Sequence, residues 1–215
     1  MSRYFGLDEL DRLIAERVTQ QSGFFVEVGA HDGLSQTNSL YFENVGWSGL
    51  LIEPIPELYR RCTENRPASR TVNFCCTSLD DPRSEITMVF AGLMSVVHGH
   101  LDSRAEDAWI TRGEELQTLQ RYNVVVPAAP LTKILASEHV EQVDLLIIDV
   151  EGYEIPLLKG IDYSAARPRR IVCEDAYKDE VSEFLLSRGY QMECTLLERR
   201  FTRDRLYLDV QAAGY

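Results

Sequence analysis

Apolar and polar positions alternate with two different periods along this chain, and the switches between them outline its elements. Leu10, Leu13, Ile14 and Val18 recur at helical spacing with charges between them, which predicts an amphipathic opening helix. The run "GFFVEVGA" (Gly23 to Ala30) is too short for a helix and rich in strand formers. "SQTNSLYFENVG" (Ser35 to Gly46) has polar cap residues at one end and a terminating glycine at the other. "SGLLIEP" is a second strand stopped by Pro54, and "PELYRRCTEN" a second helix with Pro56 in its first turn. "TVNFCCTS" (Thr71 to Ser78) and "SEITMVF" (Ser84 to Phe90) read as further strands.

Between Ala91 and Tyr122 the periodicity loosens, although "EDAWITRGEELQTLQRY" is helix-like. This segment reads as an insertion over the sheet edge that serves as a lid, because long connections in compact domains are often functional. Regularity returns with "VVVPAAPLTKILAS" and with "VDLLIIDVEG" (Val143 to Gly152). The latter is almost wholly apolar before its acids, as expected of a central parallel strand covered on both faces. "YEIPLLKG" is a helix ending on Gly160, "RRIVCEDA" a strand ending on acids, and "DEVSEFLLSRGY" a helix stopped by Gly189. Two alternating strands, with Tyr190, Met192, Cys194 and Leu196 and then Leu206, Leu208 and Val210 on common faces, predict a closing antiparallel hairpin. The order βαβαβ, insertion, βαβαβ, hairpin predicts a doubly wound, Rossmann-like α/β sheet, mostly parallel, in one domain spanning residues 1–215 with its insertion at 91–122. Ligands of such sheets bind beyond the carboxyl ends of the strands.

Composition narrows the chemistry. The chain has 215 residues, 34 acidic against 22 basic, for a net charge of −12. That field repels polyanions, and no cluster of Lys and Arg relieves it, so nucleic acid is disfavoured as a partner. No apolar run reaches the roughly 20 residues of a membrane span. The first residues lack an apolar signal core, and the five cysteines form no CxxC pair, which points to a reducing cytoplasm. Leu10, Leu13 and Trp109 offer apolar side chains for a contact between subunits of a homo-oligomer.

The turn "EVGAHDG" holds the first candidate chemistry. Gly29 and Gly33 allow a tight strand-to-helix turn and close approach of backbone to a ligand. The dinucleotide fingerprint fails here, since His31 occupies the position of its second glycine. Glu27, Asp32 and Glu53 make the crevice negative, so its ligand should carry positive charge and hydroxyls. A sulfonium with an amino-acid tail and a ribose meets both demands. Glu53 stands about 20 residues beyond the turn, where a carboxylate grips ribose hydroxyls in nucleotide-binding α/β folds. Against this stand a nicotinamide-dependent oxidoreductase, disfavoured by the missing fingerprint, and a cofactor-binding module that has lost catalysis.

Together, "FVEVGAHDG…TNSLYFENVGWSGLLIEPIPELY", "VPAAPLTKIL", "VDLLIIDVEGYEIPLLKG" and "RPRRIVCED" resemble the FkbM-type family of S-adenosylmethionine-dependent methyltransferases. The resemblance implies a class I methyltransferase sheet of six parallel strands and one antiparallel strand. It also implies methyl transfer to oxygen on a small hydroxylated acceptor, a sugar or other natural product. Carried over residue by residue, Glu27, Gly29, Ala30, Asp32 and Gly33 match the cofactor turn and Glu53 the ribose acid. Pro54 and Ile55 line the adenine side, Thr77 and Ser78 fall where the adenine is usually met, and Asp149, Glu151 and Gly152 match the "DVEG" signature. One departure is Leu131-Thr132, where the family usually has Leu-Asp.

Methyl transfer to an alcohol also needs its proton removed, by a base or with the help of a metal. Asp149 is the first candidate at the reacting centre, with Glu151 beside it. Asp149, Glu174 and Asp175 end successive apolar strands, and three converging carboxylates would suit Mg²⁺ or Ca²⁺. Catechol-type O-methyltransferases resemble this layout. The plainer alternative is strand-end acids satisfied by backbone amides or by Arg169 and Arg170. His98 and His100 in "HGH" would point the same way from an extended segment and supply a base, or else lie in a surface loop without a role. No further His or Cys stands at zinc-ligand spacing. Trp47 and Trp109 read as packing residues.

Overall fold

The computed structural model describes residues 4–175, 179–200 and 202–211. The predicted apolar runs become strands whose alternate residues feed two cores. Strands β1 (Phe24–Val28), β2 (Ser48–Ile52), β3 (Arg70–Val72), β8 (Leu145–Ile148), β9 (Arg170–Asp175), β10 (Tyr190–Glu198) and β11 (Arg203–Asp209) form a sheet of order β10-β11-β9-β8-β1-β2-β3. β11 runs antiparallel to both β9 and β10, so the closing hairpin inserts its second strand into the sheet. On one face Val26, Leu50, Leu146 and Ile171 pack against α5 (Leu131–Ser137), α6 (Glu154–Leu158) and α7 (Glu180–Ser187). On the other Phe25, Leu51, Ile147 and Val172 meet Leu10 and Ile14 of α1 (Leu10–Ala15), Phe42 of α2 (Leu40–Asn44) and Cys62 of α3 (Pro56–Asn65). Leu10, expected at a subunit contact, is thus buried in the chain's own core.

Two expectations are corrected by the same feature. The strand predicted over Thr71 to Ser78 is divided into β3 and β4 (Cys75–Thr77). Between them Asn73 donates its side-chain amide to the carbonyls of Glu53 and Pro54 at 2.8 and 2.7 Å, satisfying groups that a continuous ladder would have used. β4 then starts a second sheet of order β4-β7-β5-β6, with β5 (Glu85–Phe90), β6 (Val96–Val97) and β7 (Tyr122–Pro130). The run "VVVPAAP" therefore belongs to this smaller sheet and not to the main one. Its outward Val125 is 59% exposed while Val126 is fully buried, the one-sided pattern of an antiparallel ribbon. The departure from the main sheet begins at β4 and ends at Pro130, enclosing the segment read as 91–122. Its helix α4 (Ser103–Gln117) starts on Asp102, whose carboxylate caps the amides of Arg104 and Ala105.

Trp47 packs in the core against Phe42, with ring centroids 5.2 Å apart. No helix among the described residues is long and apolar enough to cross a membrane.

Candidate active site

β1 and β8 lie side by side, with Val28 opposite Ile148, so the turns that follow them share one crevice. Gly29 has φ +88, and a Cβ there would stand 1.9 Å from the Asp149 carbonyl oxygen. The glycine is thus required both by its backbone and by the strand beside it. The amides of Gly29 and Ala30 bond the Ile52 carbonyl at the end of β2, and the His31 amide donates to Glu53 Oε2 at 2.8 Å. Gly29, Glu53 and Asp149 consequently surround a single cleft, which Ala30, Pro54 and Ile55 also line.

The other residues of the turn act from behind. Asp32 is consumed by its own loop, accepting from the amides of Leu34 and Ser35 and from the Ser35 hydroxyl. Gly33, at φ +77, leaves space for Arg66, whose Cγ would be 2.7 Å from an added Cβ. Arg66 is fully buried and was not singled out by sequence. It donates to the Gly33 carbonyl, Thr37 and Ser39 and pairs with Glu43 at 3.1 Å. Glu27 accepts from Thr37, Ser39 and the Asn38 amide at 2.9, 2.6 and 2.8 Å. It lines the cleft while fixing the loop that carries Asn38.

The predicted adenine-side pair is displaced. Thr77 and Ser78 do not line the cleft; that wall is made by Ile55, Leu58, Phe74, Cys75 and Cys76. The division of the third strand causes this, since it turns β4 toward the second sheet and points Ser78 into an exposed bond with Asp80.

Glu53 is buried, with Oε1 and Oε2 each taking one backbone amide, from Ile55 and His31. Burial pushes its pKa up to about 8, against the pull of those amides. Asp149 is open to the cleft, yet its pKa is held well above the carboxylate range by desolvation and then by Glu174, Asp204 and Glu154. Glu151 is raised likewise by burial and then by Asp149. It sits at φ +53, and its Oε2 accepts the indole N–H of Trp109 at 3.0 Å. Trp109 therefore ties α4 to the signature loop, where sequence offered packing or a subunit contact.

A second cleft opens beyond this floor, sharing Gln36, Asn38, Leu93, Asp149 and Glu151 with the first. Trp109, Arg112, Glu174, Arg199 and Asp204 also line it.

The metal set does not assemble. Glu174 faces the second cleft, but Asp175, next along the strand, turns to the opposite side and pairs with Arg203 and Arg205 at 3.0 and 3.1 Å. Among the described residues no group of three His, Cys, Asp or Glu is placed to hold a metal ion. The histidines also diverge, because Gly99 breaks the extended segment at φ +74. His98 pairs with Glu106 at 2.8 Å, while His100 stands edge-on to Tyr153 with ring centroids 4.6 Å apart. Neither lines a cleft.

The first cleft fits a cationic nucleoside. Four carboxylates line it, from Glu27, Glu53, Asp149 and Glu151, with no Lys or Arg among its described residues. Asn38 is 5% exposed and its Oδ1 has no hydrogen-bond partner. Such a lining disfavours a pyrophosphate and with it the nicotinamide reading.

The methyltransferase FkbM domain family matches residues 27–192. The ribosomal protein L11 methylase from Lactobacillus delbrueckii subsp. bulgaricus is similar in structure, with TM-score 0.53, 12% identity, and coverage of 94% of this chain and 78% of that one. TrmK from M. capricolum, solved with S-adenosyl-homocysteine, aligns with TM-score 0.52 and 7% identity over 96% of this chain and 69% of that one. A TehB-like SAM-dependent methyltransferase from Corynebacterium glutamicum aligns with TM-score 0.50 and 12% identity over 93% and 86%. At these identities the likeness is one of fold. No curated protein matches the sequence.

Proposed function

Since this chain belongs to the methyltransferase FkbM domain family and is an S-adenosylmethionine-dependent methyltransferase, we propose that it methylates a hydroxyl oxygen of a small natural product or sugar. The observation that carries this reading is the pair of clefts meeting at Asp149 and Glu151. One cleft suits the donor, and the other is left for an acceptor.

When bound, S-adenosylmethionine supplies a methyl group already activated by its sulfonium. The chain's own residues bind and orient. Glu53 keeps a lone pair on each oxygen beyond its backbone amides and would accept from ribose hydroxyls. Ile55, Leu58 and Cys75 give the adenine an apolar wall. Asp149 and Glu151, held protonated more readily by burial and by neighbouring carboxylates, would ionise in favour of a sulfonium and an ammonium bound beside them. The segment 91–122 reaches both clefts through Leu93, and we assign it the role of lid.

The net charge of −12 supports a small-molecule acceptor over nucleic acid. The five unpaired cysteines support a reducing cytoplasm as its location. Calorimetry with S-adenosylhomocysteine, followed by transfer of a labelled methyl group to a pool of sugars and phenols, tests the proposal. Binding with label found on oxygen is the expected result. Label found only on nitrogen or carbon would refute transfer to oxygen.

A further inference from the structure

Asp149 and Glu151 line both clefts, whereas Glu174 and Asp204 line only the second. A group that takes a proton from an acceptor must stand on the acceptor's side, within hydrogen-bond reach of its hydroxyl. The carboxylates there differ in how far they are already committed. Asp204 is bonded to the Arg199 guanidinium, and Glu151 to the Trp109 indole. Asp149 sits where the clefts join. Glu174 lies directly across from Asp204 in the β9–β11 register and accepts a hydrogen bond from the Thr202 hydroxyl. Its other lone pairs stay open to the second cleft, which it alone of these carboxylates lines without a close cation or a place in the donor cleft. Its distance to Arg199 Nη1 is 3.9 Å, too long for a hydrogen bond. His98 and His100, the other bases offered by sequence, line neither cleft.

Resting on the reading above, we propose that Glu174 is the general base of the reaction and takes the proton of the acceptor hydroxyl. The acceptor O–H bond breaks with its proton passing to the Glu174 carboxylate. The oxygen's electron pair forms the new O–C bond, and the C–S pair of the donor stays on sulfur. Glu174 then returns the proton to solvent through the second cleft. Glu174 suits this work at neutral pH: burial raises its pKa to about 7, Thr202 and Arg199 restrain it, and Asp204 and Glu154 raise it further. Asp149, Glu151 and the buried Cys173 thiol also interact with it.

The test uses the full chain and Glu174→Gln, which keeps the side chain's shape. S-adenosylhomocysteine affinity, by calorimetry, should agree within about threefold between the two proteins, because Glu174 does not line the donor cleft. Carboxyl ¹³C NMR of the S-adenosylhomocysteine complex should show one group titrating near pH 7 in wild type and absent from the variant. Labelled methyl transfer to a pool of sugars and phenols should fall by about 100-fold or more, with loss of the rise in rate between about pH 6 and 8 that ionisation of the base produces in wild type. Glu174→Asp, which retains a carboxylate, should recover part of it. A more than tenfold loss of S-adenosylhomocysteine binding in Glu174→Gln would overturn the proposal, as would a Glu174 carboxyl titrating near an unperturbed value of about 4.3. If the wild type labels nothing in the pool, those two measurements decide. Failure of wild type to bind S-adenosylhomocysteine would instead sink the underlying reading.

Discussion

Replacing Glu53 by Gln should weaken S-adenosylhomocysteine binding by an amount that depends on pH. Glu53 ionises in the free protein with a pKa of about 8. At pH 6.5 only about 3% of it is charged, and at pH 8.5 about 75%, from the usual titration curve. If the ribose hydroxyls bind the carboxylate, wild-type affinity should rise about 25-fold over that range, close to 2 kcal/mol. Gln offers each hydroxyl a neutral acceptor in place of a charged one, a difference of about 1–1.5 kcal/mol per bond. For two bonds the variant should bind about 30- to 150-fold more weakly at pH 8.5. Near pH 6.5 the penalty should shrink to a few-fold, because the wild type must first ionise. Isothermal calorimetry at both pH values reads the ratio directly. Titration of the ligand, and of Asp149 and Glu151, is common to both proteins and cancels in it. Repeating the measurement at pH 7 in buffers of different ionisation heat should show wild type releasing about 0.9 proton more than the variant. A ratio that stays constant between pH 6.5 and 8.5, with equal proton release, refutes the assignment of Glu53 to the ribose.

Other outcomes follow from the same geometry. Gly29→Ala should destabilise the fold by at least about 3 kcal/mol in urea melts and abolish ligand binding, since it combines φ +88 with a 1.9 Å approach to the Asp149 carbonyl. In the ligand-free protein the raised pKa of Glu53 contributes stability that is full below an unfolded value of about 4.3 and lost as pH rises through about 8. Urea midpoints should therefore fall between pH 5 and 8.5, and the fall should be smaller in Glu53→Gln. Arg66→Met should cost about 3–5 kcal/mol by stranding the charge of Glu43, measurable as a lower urea midpoint. Methyl transfer should be unchanged by EDTA, since Asp175 is paired with Arg203 and Arg205 instead of joining a metal set.

The strands, both faces of the main sheet and the crevice of Gly29, Glu53 and Asp149 were legible because each rests on a local period or a short motif. "LLII", short and bounded by acids, reads as a strand buried on both faces, and a glycine at a strand-to-helix turn permits close backbone approach. Arg66 left no such trace. An arginine at a helix end reads as solvated until Gly33, Thr37, Ser39 and Glu43 close around it. Trp109 read as packing for a similar reason, since Glu151 lies 42 positions along the chain.

Local pattern thus determined which residues form strands, which turns hold glycine, and that carboxylates gather at the strand ends. Tertiary structure decided which way those carboxylates face. Successive side chains on a strand point to opposite sides, so Glu174 enters the second cleft while Asp175 leaves for two arginines. It also decided that Asn73 divides one predicted strand between two sheets, moving Thr77 and Ser78 away from the cleft. Periodicity is set by neighbours in sequence, whereas the partner of a charge or a ladder is chosen among residues brought near only by folding.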